Sequence, residues 1–81
     1  MPCKGLLLPA CNSIHTFFMS FAIDAVFLDS KNKVIKTVEG VKPWRVVPPI
    51  IYSRSVIEFS SGKIRDLKIA RGDVFEFKEN L

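Results

Sequence analysis

Cys11, His15 and Met19 stand at four-residue intervals in the stretch CNSIHTFFM. A thiol, an imidazole and a thioether form a donor set that suits a soft cation such as copper(I). On a helix this spacing would bring successive side chains to about 6 Å on one face. On a strand they would still share a face, because their separations are even. Each step would then span about 13 Å, too far for neighbours to reach one ion through bonds of roughly 2.0–2.3 Å. Ile14, Phe17, Phe18 and Phe21 would surround a helix on every side, and Thr16, Ile23 and Val26 add β-branched preference. The segment therefore reads as extended, and chelation by these three residues alone is disfavoured. With one His in the chain and no paired-cysteine motif, no metal or other cofactor is expected.

The same stretch raises covalent chemistry. Cys11 as nucleophile, His15 as base and Asp24 or Glu58 as orienting acid are the residue types of a thiol-dependent hydrolase, but thiol and imidazole must meet within about 3 Å. Strand spacing forbids this unless the chain bends at Cys11 to Ser13, where Asn12 and Ser13 permit a bend. Otherwise Cys11 is a small buried apolar residue and His15 a strand imidazole bonded to a backbone carbonyl. No residue is assigned a catalytic role.

The two acids carry a sharper signal. Asp24 lies inside FAIDAVFL and Glu58 inside VIEF, and an unpaired charge in an apolar core would cost several kcal/mol. Each must accept backbone N–H groups, pair with a base or face a polar cleft, and the cleft reading groups Asp24 with His15 and Arg45. Trp44, beside Arg45 in VKPWRVVPP, reads as a lid on the core or on that cleft. Candidate ligand-binding residues are thus Cys11, His15, Asp24, Trp44, Arg45 and Glu58, for a small ligand or a protein.

These residues need elements to hold them. Strands are expected near 14–19 and 23–29. The polar DSKNK turn, with Asn32 tolerant of left-handed backbone, leads into a returning strand at 34–39 that ends at Gly40. Pro43, Pro48 and Pro49 make the next segment an ordered loop or an edge. A strand at 55–59 precedes a short helix capped by Ser60 or Ser61, with Ile64, Leu67 and Ile69 facing inward and Lys63, Arg65 and Asp66 facing water. Gly72 stops the helix, and 73–78 reads as a closing strand with Phe75 and Phe77 on one face. The class is α+β, predominantly antiparallel β: one domain over 1–81, a small curled sheet or barrel with one short helix.

Composition narrows the functions. The chain has 81 residues, is 48% hydrophobic and carries seven Phe and one Trp, a rich core for a length at which only about 60% of the unfolded surface is hidden. It folds without a staple or brings apolar surface to a partner, so a homo-oligomer is admitted. Cys3 and Cys11 would lie about 26 Å apart on an extended segment, so both are read as reduced. LLLP is too short for a signal-peptide core, and Asp24 interrupts the longest apolar run, so a cytoplasmic protein without membrane attachment is expected. Twelve Lys and Arg against eight Asp and Glu give a net charge of +4, but the basic residues are scattered. With no basic block and no RNA or DNA module signature, nucleic acid is not an expected partner.

The assembled pieces resemble the family known as domain of unknown function 192, also called uncharacterised protein family 0127. The resemblance rests on C-x-S-I-H-T-x-x-M at Cys11 to Met19, F-x-I-D-x-V-F-L-D at Phe21 to Asp29, K-P-W-R at Lys42 to Arg45, I-E-F-S-S-G at Ile57 to Gly62, and G-D at Gly72 to Asp73. It implies a small β-rich fold and no established activity. Members generally carry an additional amino-terminal strand and helix before a Gly-Leu-Leu-like segment, whereas KGLLLP here begins almost at Met1. A missing element would leave a sheet edge for oligomerisation or a partner to fill.

Overall fold

The computed structural model describes residues 5–77. Strands β1 (Leu6–Pro9), β6 (Ser55–Ser60), β3 (Ile23–Leu28) and β4 (Val34–Val41) form one antiparallel sheet in the order β1-β6-β3-β4. The short strands β2 (Ile14–His15) and β5 (Val46–Val47) pair with each other as a separate ribbon. Helix α1 (Lys63–Leu67) has five residues.

Strand alternation divides the core in two. Ile23, Ala25 and Phe27 of β3 and Val56 of β6 point to one face, where Ile14 and Val47 of the ribbon cover them and Leu8, Cys11, Met19 and Ile50 fill in at the margin. Val26 and Leu28 of β3 and Ile57 and Phe59 of β6 point to the other, covered by Ile64 of α1 with Ile69 and Phe75 behind it. Every residue of β3 is buried because both faces of that central strand are occupied. The order is ribbon, sheet, helix; among the described residues the sheet stays open, with β1 and β4 as its edges, and does not close into a barrel.

Several expected elements are corrected. LLLP, too short for a membrane or export signal, forms edge strand β1. It lies tight on β6: a Cβ at Gly5 would sit 2.7 Å from Ile57 Cγ2 and from Phe59 Cε1. Of the strand expected over 14–19, only Ile14–His15 pairs, and the chain then turns outward. β4 does not end at Gly40. It continues to Val41 through a register shift opposite Asp24, and Gly40 there adopts φ +63°, the geometry in which a bulge uses glycine. Of the closing strand expected over 73–78, residues 73–77 make one isolated bridge, Val74 opposite Lys33, and Lys78 lies outside the described residues. Leu67, expected inside, is exposed. The polar turn does follow its chemistry: Asn32 is left-handed, and the Asp29 carboxylate accepts the Lys31 and Lys33 amides at 2.8 and 3.0 Å.

Candidate ligand-binding cavity

The acids of β3 and β6 point to opposite faces of the sheet, and this separates residues that the sequence grouped together. Asp24 shares the α1 face with Val26 and Leu28. Its side chain is fully buried, and its carboxylate accepts three backbone amides: Gly40 at 2.9 Å through Oδ1, and Gly62 and Ile64, both at 3.0 Å, through Oδ2. It thereby ties the β4 bulge to the start of α1. The helix takes its cap from this distant carboxylate: Gly62 occupies the N-cap position, and neither Ser60 nor Ser61 caps it. Asp24 does not reach the His15 face.

Glu58 lies on the other side, between Leu6 of β1 and Ala25 of β3 in register. It is half-buried beneath β2 and lines a cavity of about 310 Å³ together with Leu8, Cys11, Ser13, Ile14 and His15. Burial pushes the Glu58 carboxyl above the usual carboxylate range, and the nearby His15 partly offsets this. Among the described residues the Glu58 carboxylate accepts no hydrogen bond, whereas that of Asp24 accepts three. On its other side Glu58 also borders a second hollow, about 300 Å³, lined by Gly5, Leu6, Met19, Phe21, Ile23, Phe59 and Ser60.

The bend required at Cys11 to Ser13 is present. Ala10 adopts φ +51°, and the Ile50 and Cys11 amides anchor the segment to Asn12 and Arg54 carbonyls. Cys11 and His15 therefore border one cavity, while Met19 lines the neighbouring hollow across Glu58. Cys11 is a free thiol whose Sγ donates to the Ser13 carbonyl at 2.8 Å; Cys3 lies outside the described residues. Among the described residues, no group of three or more His, Cys, Asp and Glu side chains is placed to hold a metal ion.

Arg45 and Trp44 do not line the His15 cavity. Both are exposed, and Trp44 packs against Phe17 and Phe18 at ring-centroid distances of 5.8 and 4.9 Å without covering the core. Arg45 contributes through its main chain. Its amide donates to Thr16 Oγ1 at 2.9 Å, and its carbonyl accepts the Thr16 amide at 2.8 Å. Thr16, which carries this arrangement while fully buried, was not singled out from sequence. It is the only hydroxyl in the IHTFFM run, and that was the available signal.

The sequence matches the family model DUF192, described as Uncharacterized ACR, over residues 2–77. A UPF0127 protein of Pyrococcus abyssi is 40% identical over 65 residues, covering 80% of this chain and 55% of its own. A UPF0127 protein of Pyrococcus horikoshii is 43% identical over 61 residues, covering 75% and 52%. The chain thus spans about half the length of these curated relatives. A crystal structure of a protein of unknown function from Novosphingobium aromaticivorans superposes with a TM-score of 0.80 at 20% identity, covering 91% of this chain and 57% of that one. It supports the fold alone. Among the described residues, no helix is long and apolar enough to cross a membrane.

Proposed function

The chain belongs to the DUF192 family, and from that premise we propose that it is a noncatalytic binding module whose cavity between β1, β2 and β6 takes a small ligand. One observation supports the reading: Glu58 is an acid held half-buried beside His15 whose carboxylate accepts no hydrogen bond among the described residues, whereas that of Asp24 on the adjacent strand accepts three. A carboxylate left in that state is available to a ligand donor. The walls match such a guest. Leu8 and Ile14 are apolar, Cys11, His15 and Glu58 are polar, and the volume lies at the small end of the range for small-molecule sites, about 300–1,000 Å³. The ligand class is a short aliphatic or cyclic molecule with an amine, amide or hydroxyl donor at one end.

The test is a two-dimensional NMR screen of the labelled chain against small amines, amides, neutral aliphatics and carboxylates. Amines and amides should perturb Leu8, Cys11, Ile14, His15 and Glu58, and Glu58→Gln should erase the preference for amines. Perturbations centred elsewhere, or a preference for carboxylates, would refute the reading.

A thiol-dependent hydrolase is the second reading, favoured by the single cavity that Cys11 and His15 share. Against it, the Cys11 thiol is engaged as a donor to Ser13. The rate of alkylation against pH separates the two: a nucleophile reacts in its thiolate form well below the range of an ordinary thiol, whereas the binding module reacts as a common cysteine.

A further inference from the structure

The β2–β5 ribbon ends in two turns that hold large aromatic residues in a conformation such residues avoid. Phe18 has φ +68° and Trp44 φ +62°, the left-handed region that Gly, Asn and Asp populate most readily. Thr16 locks both turns. Its carbonyl accepts the Trp44 and Met19 amides at 2.9 and 3.2 Å, and its hydroxyl donates to the Lys42 carbonyl at 2.6 Å. Yet the rings placed by this buried residue face outward, with Phe18 84% and Trp44 57% exposed. Core packing does not account for them.

The rings form a row. His15 meets Phe17 at 4.9 Å between centroids, Phe17 lies along Trp44 at 5.8 Å and 27°, and Phe18 stands on Trp44 at 4.9 Å and 64°. That last pair makes a corner, with one ring presenting a face and the other an edge, into which a flat ring fits. Lys42 and Arg45 bracket Trp44 in sequence, and both are exposed. Glu58 sits at the other end of the row, beside His15, so the acid is at the His15 end and the two cations are on the turn that carries Trp44.

We propose that the Phe18–Trp44 corner binds a nucleotide, free or within a single strand, with the base stacked on one ring and met by the other at its edge, and its phosphate answered by Lys42 and Arg45. A neutral sugar would use the rings and leave the cations idle, and an acidic peptide would do the reverse. A nucleotide uses both. Charge scattered along the sequence gave no reason to expect this. The Thr16 hydroxyl holds the Lys42 and Arg45 backbones at the turn that carries Trp44, and two cations on that turn can serve one phosphate without a basic groove.

Trp44 is the only tryptophan in the chain, so its fluorescence reports on the corner directly. The full chain is titrated with AMP, adenosine, ribose 5-phosphate and a hexa-adenylate strand. Saturable quenching by AMP is expected, with adenosine and ribose 5-phosphate about tenfold weaker or worse. Phe18→Asn, which keeps the left-handed turn, should weaken AMP about fivefold or more, the low end of losing one stacking partner. Arg45→Gln should remove the advantage of AMP over adenosine while the melting temperature holds. A strand that binds about tenfold tighter than AMP and weakens steeply with salt identifies the source as single-stranded nucleic acid; equal affinity identifies a free nucleotide. No saturable quenching by AMP or the strand, adenosine equal to AMP, or AMP binding untouched by Phe18→Asn would each overturn the proposal.

Discussion

The Asp24 carboxylate accepts backbone amides from β4 and from the start of α1, while Glu58, one strand away on the opposite face, is left beside an imidazole and a cavity. Removing each therefore has a different sign. Asp24→Ala strands a buried donor at Ile64 and releases the amides of two exposed glycines to water, and at roughly 1–3 kcal/mol per stranded buried group the loss should be about 1–3 kcal/mol in urea unfolding. Asp24→Asn, keeping one carbonyl oxygen, should lose less. Glu58 works through its raised carboxyl. A group whose affinity for the proton is higher folded than unfolded adds stability that is complete below the unfolded value, about 4.5, and is lost as pH rises through the folded one. Glu58→Gln should thus melt higher than the native chain at pH 7 and level with it near pH 4, as thermal unfolding at the two pH values will show. Asp29 runs the other way: backbone bonds from Lys33 and Lys31 hold its carboxyl below the usual range, so its contribution is present at neutral pH and fades in acid. That Asp24 and Glu58 each need an answer is legible in the sequence, because both interrupt apolar runs. Which acid meets backbone and which meets space is not legible there, since that depends on which face of the sheet receives α1.

At the scale of elements, β3, β4 and β6 were legible because β-branched and aromatic residues repeat there between clear turn signals. The run from Thr16 to Phe21 carried the same signal and does not form a strand. Its Phe17, Phe18 and Phe21 are exposed, and residue type alone does not say whether a ring is buried. β1 escaped notice because four apolar residues ending in Pro9 resemble a leader fragment as much as an edge strand. Only the antiparallel register with β6 gives them a role. The cap of α1 escaped because it comes from Asp24, distant in sequence. The ribbon's integrity rests on Thr16. Thr16→Val keeps the shape and deletes the hydroxyl between the Lys42 carbonyl and the Arg45 amide. It should cost about 1–3 kcal/mol and shift the Trp44 emission spectrum, whereas Thr16→Ser should leave the emission unchanged. An unaltered spectrum in the valine variant would show that the turns hold themselves.

For the molecule as a whole, one sheet separates two apolar clusters, and its central strand belongs to both. The two faces should therefore unfold together. Ile14→Ala on the ribbon side and Ile64→Ala on the helix side should each cost about 2–4 kcal/mol. Their effects should add to within about 0.5 kcal/mol, because the two side chains belong to different clusters. Trp44 emission and far-UV dichroism should follow one transition; two separated transitions would mean that ribbon and sheet are independent. The division into faces also explains the partial legibility of the site. His15, Cys11 and Glu58 line one cavity, Asp24 goes to the opposite face, and Arg45 and Trp44 go to the turn beyond the ribbon. The measurement that bears most directly on the cavity is a crystal of the full chain soaked with a small primary amine. Density for the amine within hydrogen-bonding distance of Glu58, between Leu8, Ile14 and His15, is the predicted result. An amine seated elsewhere, with this cavity empty at the same soak concentration, would contradict it.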